Sequence, residues 1–199
     1  MVRPSRYSDE EILAVAREVF VEQGPGASLS AIATRLGLSQ PALSQRFGSK
    51  RALMIRALSP RGLEESIAQL EAGPDDRPFD EQLREIAVTG LEVLEQAVPS
   101  MITMRMADQQ VRQAMADGVT LPHDRGGDAM IAFFARARAA GLIRDVEPRH
   151  VAMMFIGSLQ ARALLAYVAQ ERLDDAARQA QAAVTVELLL HGIAPEEAS

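Results

Sequence analysis

The chain predicts an all-α fold. Three observations carry that reading: apolar residues recur at 3.6-residue spacing through every long segment, no segment alternates as a half-buried strand does, and glycine, proline or a capping serine punctuates each periodic run. The elements divide into an N-terminal head of three helices, residues 1–48, and a helical body, residues 49–199.

Ser8-Asp9-Glu10-Glu11 opens the first helix, with serine followed three residues later by glutamate as in a capping box. Ile12, Val15, Ala16, Val19 and Phe20 form its apolar stripe, and Gln23-Gly24-Pro25-Gly26 ends it. Ser28 caps a second helix whose buried face is Leu29, Ile32, Ala33 and Leu36. Gly37 supplies the left-handed turn and Leu38 plugs it. Ser39 caps the third helix, with Gln40 and Pro41 in its first turn, where an amide is dispensable. Leu43 and Phe47 turn inward, leaving Gln40, Ser44, Gln45 and Arg46 facing out. This is a helix-turn-helix whose second helix presents hydrogen-bonding side chains to solvent, as a DNA-reading helix does.

A fourth helix starts at Ser49 and Lys50, passes Leu53, Ala57 and Leu58, meets a kink or break at Pro60 and continues to Leu70, linking head to body. Residues 71–78 are a turn-rich linker. Five further helices are expected over about 79–97, 99–116, 128–140, 148–170 and 174–191, with residues 117–127 as a flexible loop.

Charge supports the nucleic-acid reading despite a net charge of −6. Residues 1–56 hold eight basic and five acidic side chains, a net +3, and the remainder is net −9. A basic end on an acidic body is the footprint of a protein that meets phosphates at one end. The outer face of the third helix has no acidic residue between Ser39 and Lys50, the only lysine in the sequence. A purely structural hairpin would instead show Glu, Lys and Ala there. Gln40, Ser44 and Gln45 are the expected base-contacting residues; Ser39, Arg35, Arg46, Lys50 and Arg51 are expected at phosphates, and the start of the fourth helix adds its dipole to Lys50.

The segment from Tyr7 to Leu58 resembles the DNA-binding end of the TetR family of bacterial transcriptional regulators, through Phe20, Gly24, Ile32-Ala33, Leu36-Gly37-Leu38-Ser39, Leu43, Phe47 and Ser49-Lys50-Arg51-Ala52-Leu53. Family members commonly carry an aromatic residue where this chain has Ser44 and histidine where it has Arg46. The resemblance implies a ligand-responsive repressor that binds a palindromic operator in double-stranded DNA as a homodimer, with a variable body that takes a small effector and dimerises through its last two helices.

For the dimer, Gly157, Ser158, Ala161, Leu165 and Val168 on the penultimate helix and Ala180, Val184 and Leu188 on the last are the expected contact residues; the alternative is that both stripes face the protomer's own core. For a largely apolar effector, Leu91, Leu94, Met101, Met104, Met130, Phe133, Phe134, Met154 and Phe155 are expected walls, although methionine at helical spacing also fills ordinary cores. Arg105 interrupts an apolar run and would either meet a ligand anion or lay its stem on apolar surface with its head in water.

Several classes are disfavoured. The chain has no cysteine, which removes disulfides and thiolate metal sites. His123-Asp124 with Asp128 reads as a solvated turn, and no metal or other cofactor is expected. No nucleophile-base order, phosphate-cradling loop or cofactor fingerprint points to an enzyme. An all-helical interaction module or enzyme with a head that does not bind DNA is the alternative. No signal peptide or apolar run near the ~20 residues of a membrane span is expected, which places the protein in the cytoplasm, at the nucleoid and off the membrane.

Overall fold

The capping box at Ser8 fixes where the first helix begins. In a computed structural model that describes residues 7–105 and 122–193, α1 spans Asp9–Gln23. The Glu11 amide donates to Ser8 Oγ at 3.1 Å, and the Ser8 amide donates to the Glu11 carboxylate at 2.7 Å. α2 is Leu29–Leu36, α3 Gln40–Phe47 and α4 Lys50–Leu58. Ser28, Ser39 and Ser49 each accept a hydrogen bond from the amide three residues on. Gly37 takes φ +63°, so the amides of Gly37 and Leu38 turn back onto the Thr34 and Ala33 carbonyls and close the turn between α2 and α3. Helices this short are marginal alone, and burial holds them. α1 packs on α2 and α4, and α3 on both α2 and α4. Ile12, Ala16, Val19, Phe20, Ile32, Leu36, Leu43, Phe47, Leu53, Met54 and Leu58 are all buried.

The remaining described helices are α5 Leu63–Ala72, α6 Phe79–Arg105, α7 Pro122–Ala139, α8 Pro148–Val168 and α9 Asp175–Ile193. There is no strand among the described residues. Two compact units result: one runs to Ser59 and takes in the end of α6 from Pro99, and the other holds Pro60–Val98 and the helices from α7 onward. α4 belongs to the first unit because it packs on α1. Arg17 on α1 reinforces that packing by donating to the Ser59 carbonyl and, at 3.4 Å, to Ser100 Oγ.

In the second unit α7 is central, packed on both α5 and α8, and α8 packs on α9. Its core threads four rings together: Phe79 stacks on Phe133 at 6.1 Å, Phe133 meets Phe134 edge-on at 5.7 Å, and Phe134 meets Phe155 at 5.9 Å. The start of α9 is tied to α6 by Glu95, which accepts from the Leu173 amide at 3.1 Å and from Arg178 Nε at 2.8 Å. The linker before α6 is held by the buried side chain of Gln82, which accepts from the Asp75 amide and donates to the Asp75 and Arg77 carbonyls. At its start Gly73 sits at φ +84°, and a Cβ there would lie 2.7 Å from Arg136 Nε. Arg136 cannot yield freely, because its guanidinium donates to the Leu70 carbonyl at 2.5 Å. Gly73→Ala should therefore destabilise by about 2–4 kcal/mol, from a strained backbone plus a lost hydrogen bond, which denaturant titration would measure.

Three expectations are corrected. The helices expected over 79–97 and 99–116 are one continuous α6 as far as Arg105, running through Pro99. Proline removes one amide, but the buried face carries on through Val98, Ser100 and Thr103, and Thr103 Oγ1 donates to the Pro99 carbonyl. Residues 106–116 lie outside the described residues. The expected loop over 117–127 is cut short: Pro122 starts α7, as proline suits a first turn, and residues 117–121 lie outside the described residues. At Pro60, where a kink or a break is expected, the chain breaks, and Gly62 enters the left-handed region before α5. Finally, α8 is by length and composition long and apolar enough to cross a membrane. Its inner face, Val151, Ala152, Phe155, Leu159, Ala163 and Ala166, is buried in its own unit. Residue types along α8 are apolar on both faces, so periodicity alone could not tell them apart.

Candidate nucleic-acid interface

α3 is held from behind by Leu43 and Phe47, both buried, so its orientation follows from the packing of α1, α2 and α4. That packing leaves Gln40, Gln45 and Arg46 exposed and Ser44 half-buried. Ser39 is exposed too, but its hydroxyl is engaged as the helix cap, accepting from the Ala42 amide at 3.3 Å. Lys50 and Arg51 follow directly at the first turn of α4, where unpaired amides and the helix dipole attract anions. Neither has an ion-pair partner among the described residues.

The arginines behave differently. Arg35 is engaged by α1, with its guanidinium 2.6 Å from the Glu22 carboxylate and 3.5 Å from Glu18. The Arg35 hydrogen bond holds the Glu22 carboxyl below its ordinary pKa. Arg46 donates through Nε to Asp9 Oδ1 at 2.6 Å and through a terminal nitrogen to the Tyr7 carbonyl at 2.8 Å. Asp9 Oδ2 takes a second guanidinium, from Arg56 on α4, at 3.0 Å. The Arg56 guanidinium lies 4.8 Å from the Phe47 ring centre and that of Arg46 5.8 Å. Asp9 is held below the usual carboxylate range, chiefly by the Arg56 hydrogen bond and then by Arg46.

So of the residues expected at phosphates, half-buried Lys50 and exposed Arg51 have no carboxylate partner among the described residues, whereas Arg35 and Arg46 are partnered by carboxylates of α1. Arg56 and Asp9 were not among the expected site residues. Arg46 and Asp9 are 37 positions apart, and only the packing of α1 and α3 on the same helices, α2 and α4, joins them. Asp9 carries a sequence signal of its own, an acidic residue in a first helical turn, but that signal is shared by helices of every kind.

The residues expected around an effector do not gather into one open site. Leu91, Met130, Phe133, Phe134 and Phe155 are buried in the aromatic core, with Leu94 partly buried against it. Met154 is 67% exposed, because Phe155 and Val151 set the inner face of α8 and Met154 falls on the other. Met101 is half-buried on the part of α6 belonging to the first unit. Met104 and Arg105 end α6, and their side chains lie outside the described residues. The same holds for His123 and Asp124, and no group of potential metal ligands occurs among the described residues.

The expected dimer residues fall mostly on the surface of α8 and α9. Leu165, Val168, Val184 and Leu188 are 64, 71, 52 and 70% exposed, with Gly157, Ala161 and Ala180 also exposed. Ser158 is half-buried, its hydroxyl donating to the Phe155 carbonyl at 2.8 Å. Met153 and Leu164 extend the exposed apolar face of α8. The alternative that these stripes line the protomer's own core is not what the structure shows for them.

Residues 12–57 match the family model described as bacterial regulatory proteins, tetR family. Over 85 residues the chain is 34% identical to the HTH-type transcriptional repressor BdcR of Escherichia coli (strain K12), a match covering 42% of this chain and 43% of that relative, less than half of its length. Among solved structures, the fold is similar to that of a SmeT-triclosan complex, with TM-score 0.70, 22% identity, and 94% of this chain and 92% of that one covered. It is similar as well to the TetR family transcriptional regulator PfmR from Thermus thermophilus, with TM-score 0.66, 22% identity, and 94% and 99% covered.

Proposed function

We propose, for a chain that belongs to the tetR family of bacterial regulatory proteins, that it is a transcriptional repressor which binds a palindromic operator as a homodimer and is released by a small, largely apolar effector. The observation that carries the DNA-binding part is the outward face of α3, where Gln40 and Gln45 stand exposed beside Lys50 and Arg51. Amide side chains can pair with an adenine edge in the major groove, and lysine and arginine at a helix start suit phosphates. In this reading Gln40, Ser44 and Gln45 meet bases, and Lys50, Arg51 and the Ser39 end of α3 meet the backbone.

The exposed apolar face of α8 and α9 supports the dimer. Covering it with a second copy would hide the surface that makes α8 apolar enough for a membrane, and half-sites about 34–36 Å apart on DNA call for two heads. Release requires the effector to bind a conformer with mis-spaced heads more tightly than the DNA-bound one, since equal affinity shifts nothing. The effector reading draws its support from the similarity of the fold to the SmeT-triclosan complex.

A pair of variants tests the DNA assignment. Gln40→Ala should relax preference between related operators by about 1–3 kcal/mol at one base position. Lys50→Ala should weaken all duplexes alike and lower the slope of log affinity against log salt by about 1. Equal losses on every sequence from both variants would remove α3 from the major groove.

A further inference from the structure

We propose that Asp9 is an internal stand-in for a DNA phosphate, and that duplex binds by displacing it from Arg46 and Arg56. The inference rests on the DNA-binding reading above and adds a residue that limits affinity rather than supplying it. The capping box at Ser8 fixes the start of α1, and the residues on either side of that cap give Arg46 two of its partners: the Asp9 carboxylate and the Tyr7 carbonyl. The two carboxylate oxygens are divided between two guanidiniums, one on α3 and one on α4, at 2.6 and 3.0 Å. A phosphodiester offers the same arrangement, a single negative charge shared by two oxygens, and arginine takes either through the same donors.

The exchange is energetically open. All three side chains are partly exposed, with relative exposures of 30% for Arg46, 47% for Arg56 and 45% for Asp9, and ion pairs in such surroundings are weak. The sequence places the pair where it matters, because Arg46 is on the reading helix itself. A carboxylate left behind by the exchange lies beside the incoming phosphate and recruits a cation, which cancels one of the counterions that binding releases. Asp9 therefore lowers affinity for any duplex and flattens its salt dependence, leaving base contacts to decide where the protein stays.

Asp9→Asn keeps the shape of the side chain and removes its charge. Affinities of the purified full-length protein for an unrelated duplex and for a fragment selected by binding would be measured across about 50–200 mM salt. The variant should bind both about fivefold more tightly at the low-salt end, the scale of one unit charge a few ångströms away in high dielectric. Its salt slope should be steeper by about 1. Asp9→Glu should keep the slope of the parent. In an Arg46→Ala, Arg56→Ala background the same Asp9→Asn change should leave the slope unaltered, so the steepening seen in the parent depends on the two arginines, a dependence that a merely structural role for Asp9 would not give. Unchanged or weaker binding by Asp9→Asn, with the helical signal and melting temperature retained, overturns the proposal. Failure of the parent protein to bind any duplex overturns the DNA-binding reading itself, and this inference with it.

Discussion

Replacing Phe134 with alanine is expected to destabilise the second unit by about 3–5 kcal/mol. Its ring is fully buried and is gripped edge-on from both sides, by Phe133 on its own helix and by Phe155 on α8. Removing it deletes apolar burial and opens a cavity between α7 and α8 that rigid helices cannot collapse to fill. Guanidinium titration followed by circular dichroism would read the loss. Leu94→Ala, at a partly buried position against the same core, should lose markedly less. A Phe134→Ala loss below about 1 kcal/mol would mean that the rings surround pliable space rather than a packed interior.

The second large effect concerns assembly. Leu188 on α9 is 70% exposed in the protomer, so Leu188→Glu should leave its helices intact. At a twofold contact the residue is buried twice, and losing both burials removes about 4 kcal/mol, roughly a thousandfold in the dissociation constant. Sedimentation velocity should then find a monomer where the parent sediments as a dimer. Operator affinity should fall with it, because half-site reading draws on two heads. A variant that remains dimeric with unchanged circular dichroism would place the contact on another face.

Which parts of this molecule could be read in advance follows from how far each signal travels along the chain. The α2–turn–α3 unit was legible because all its determinants are local: Ser28, Gly37 and Ser39 act within four residues of themselves. The exposed glutamines of α3 were legible for the same reason, once Leu43 and Phe47 had fixed the inner face. Pro99 misled because a proline normally ends a helix, and here the burial of Val98, Ser100 and Thr103 outweighs one missing amide. Met154 misled because α8 is apolar around its circumference, and only the neighbours α7 and α9 decide which side is inside. The partners of Arg35 and Arg46 were invisible, since Glu22 and Asp9 reach them across the packed head and no spacing rule links such positions.

The brevity of α3 has a last consequence. Eight residues rise about 12 Å, which spans three or four base pairs at about 3.4 Å each. A word that short has on the order of 200 spellings, while a genome offers about a million or more places to look. A solitary head would thus find thousands of addresses it cannot tell apart. Whatever uniqueness this protein achieves would have to be composed from two short words and the distance between them.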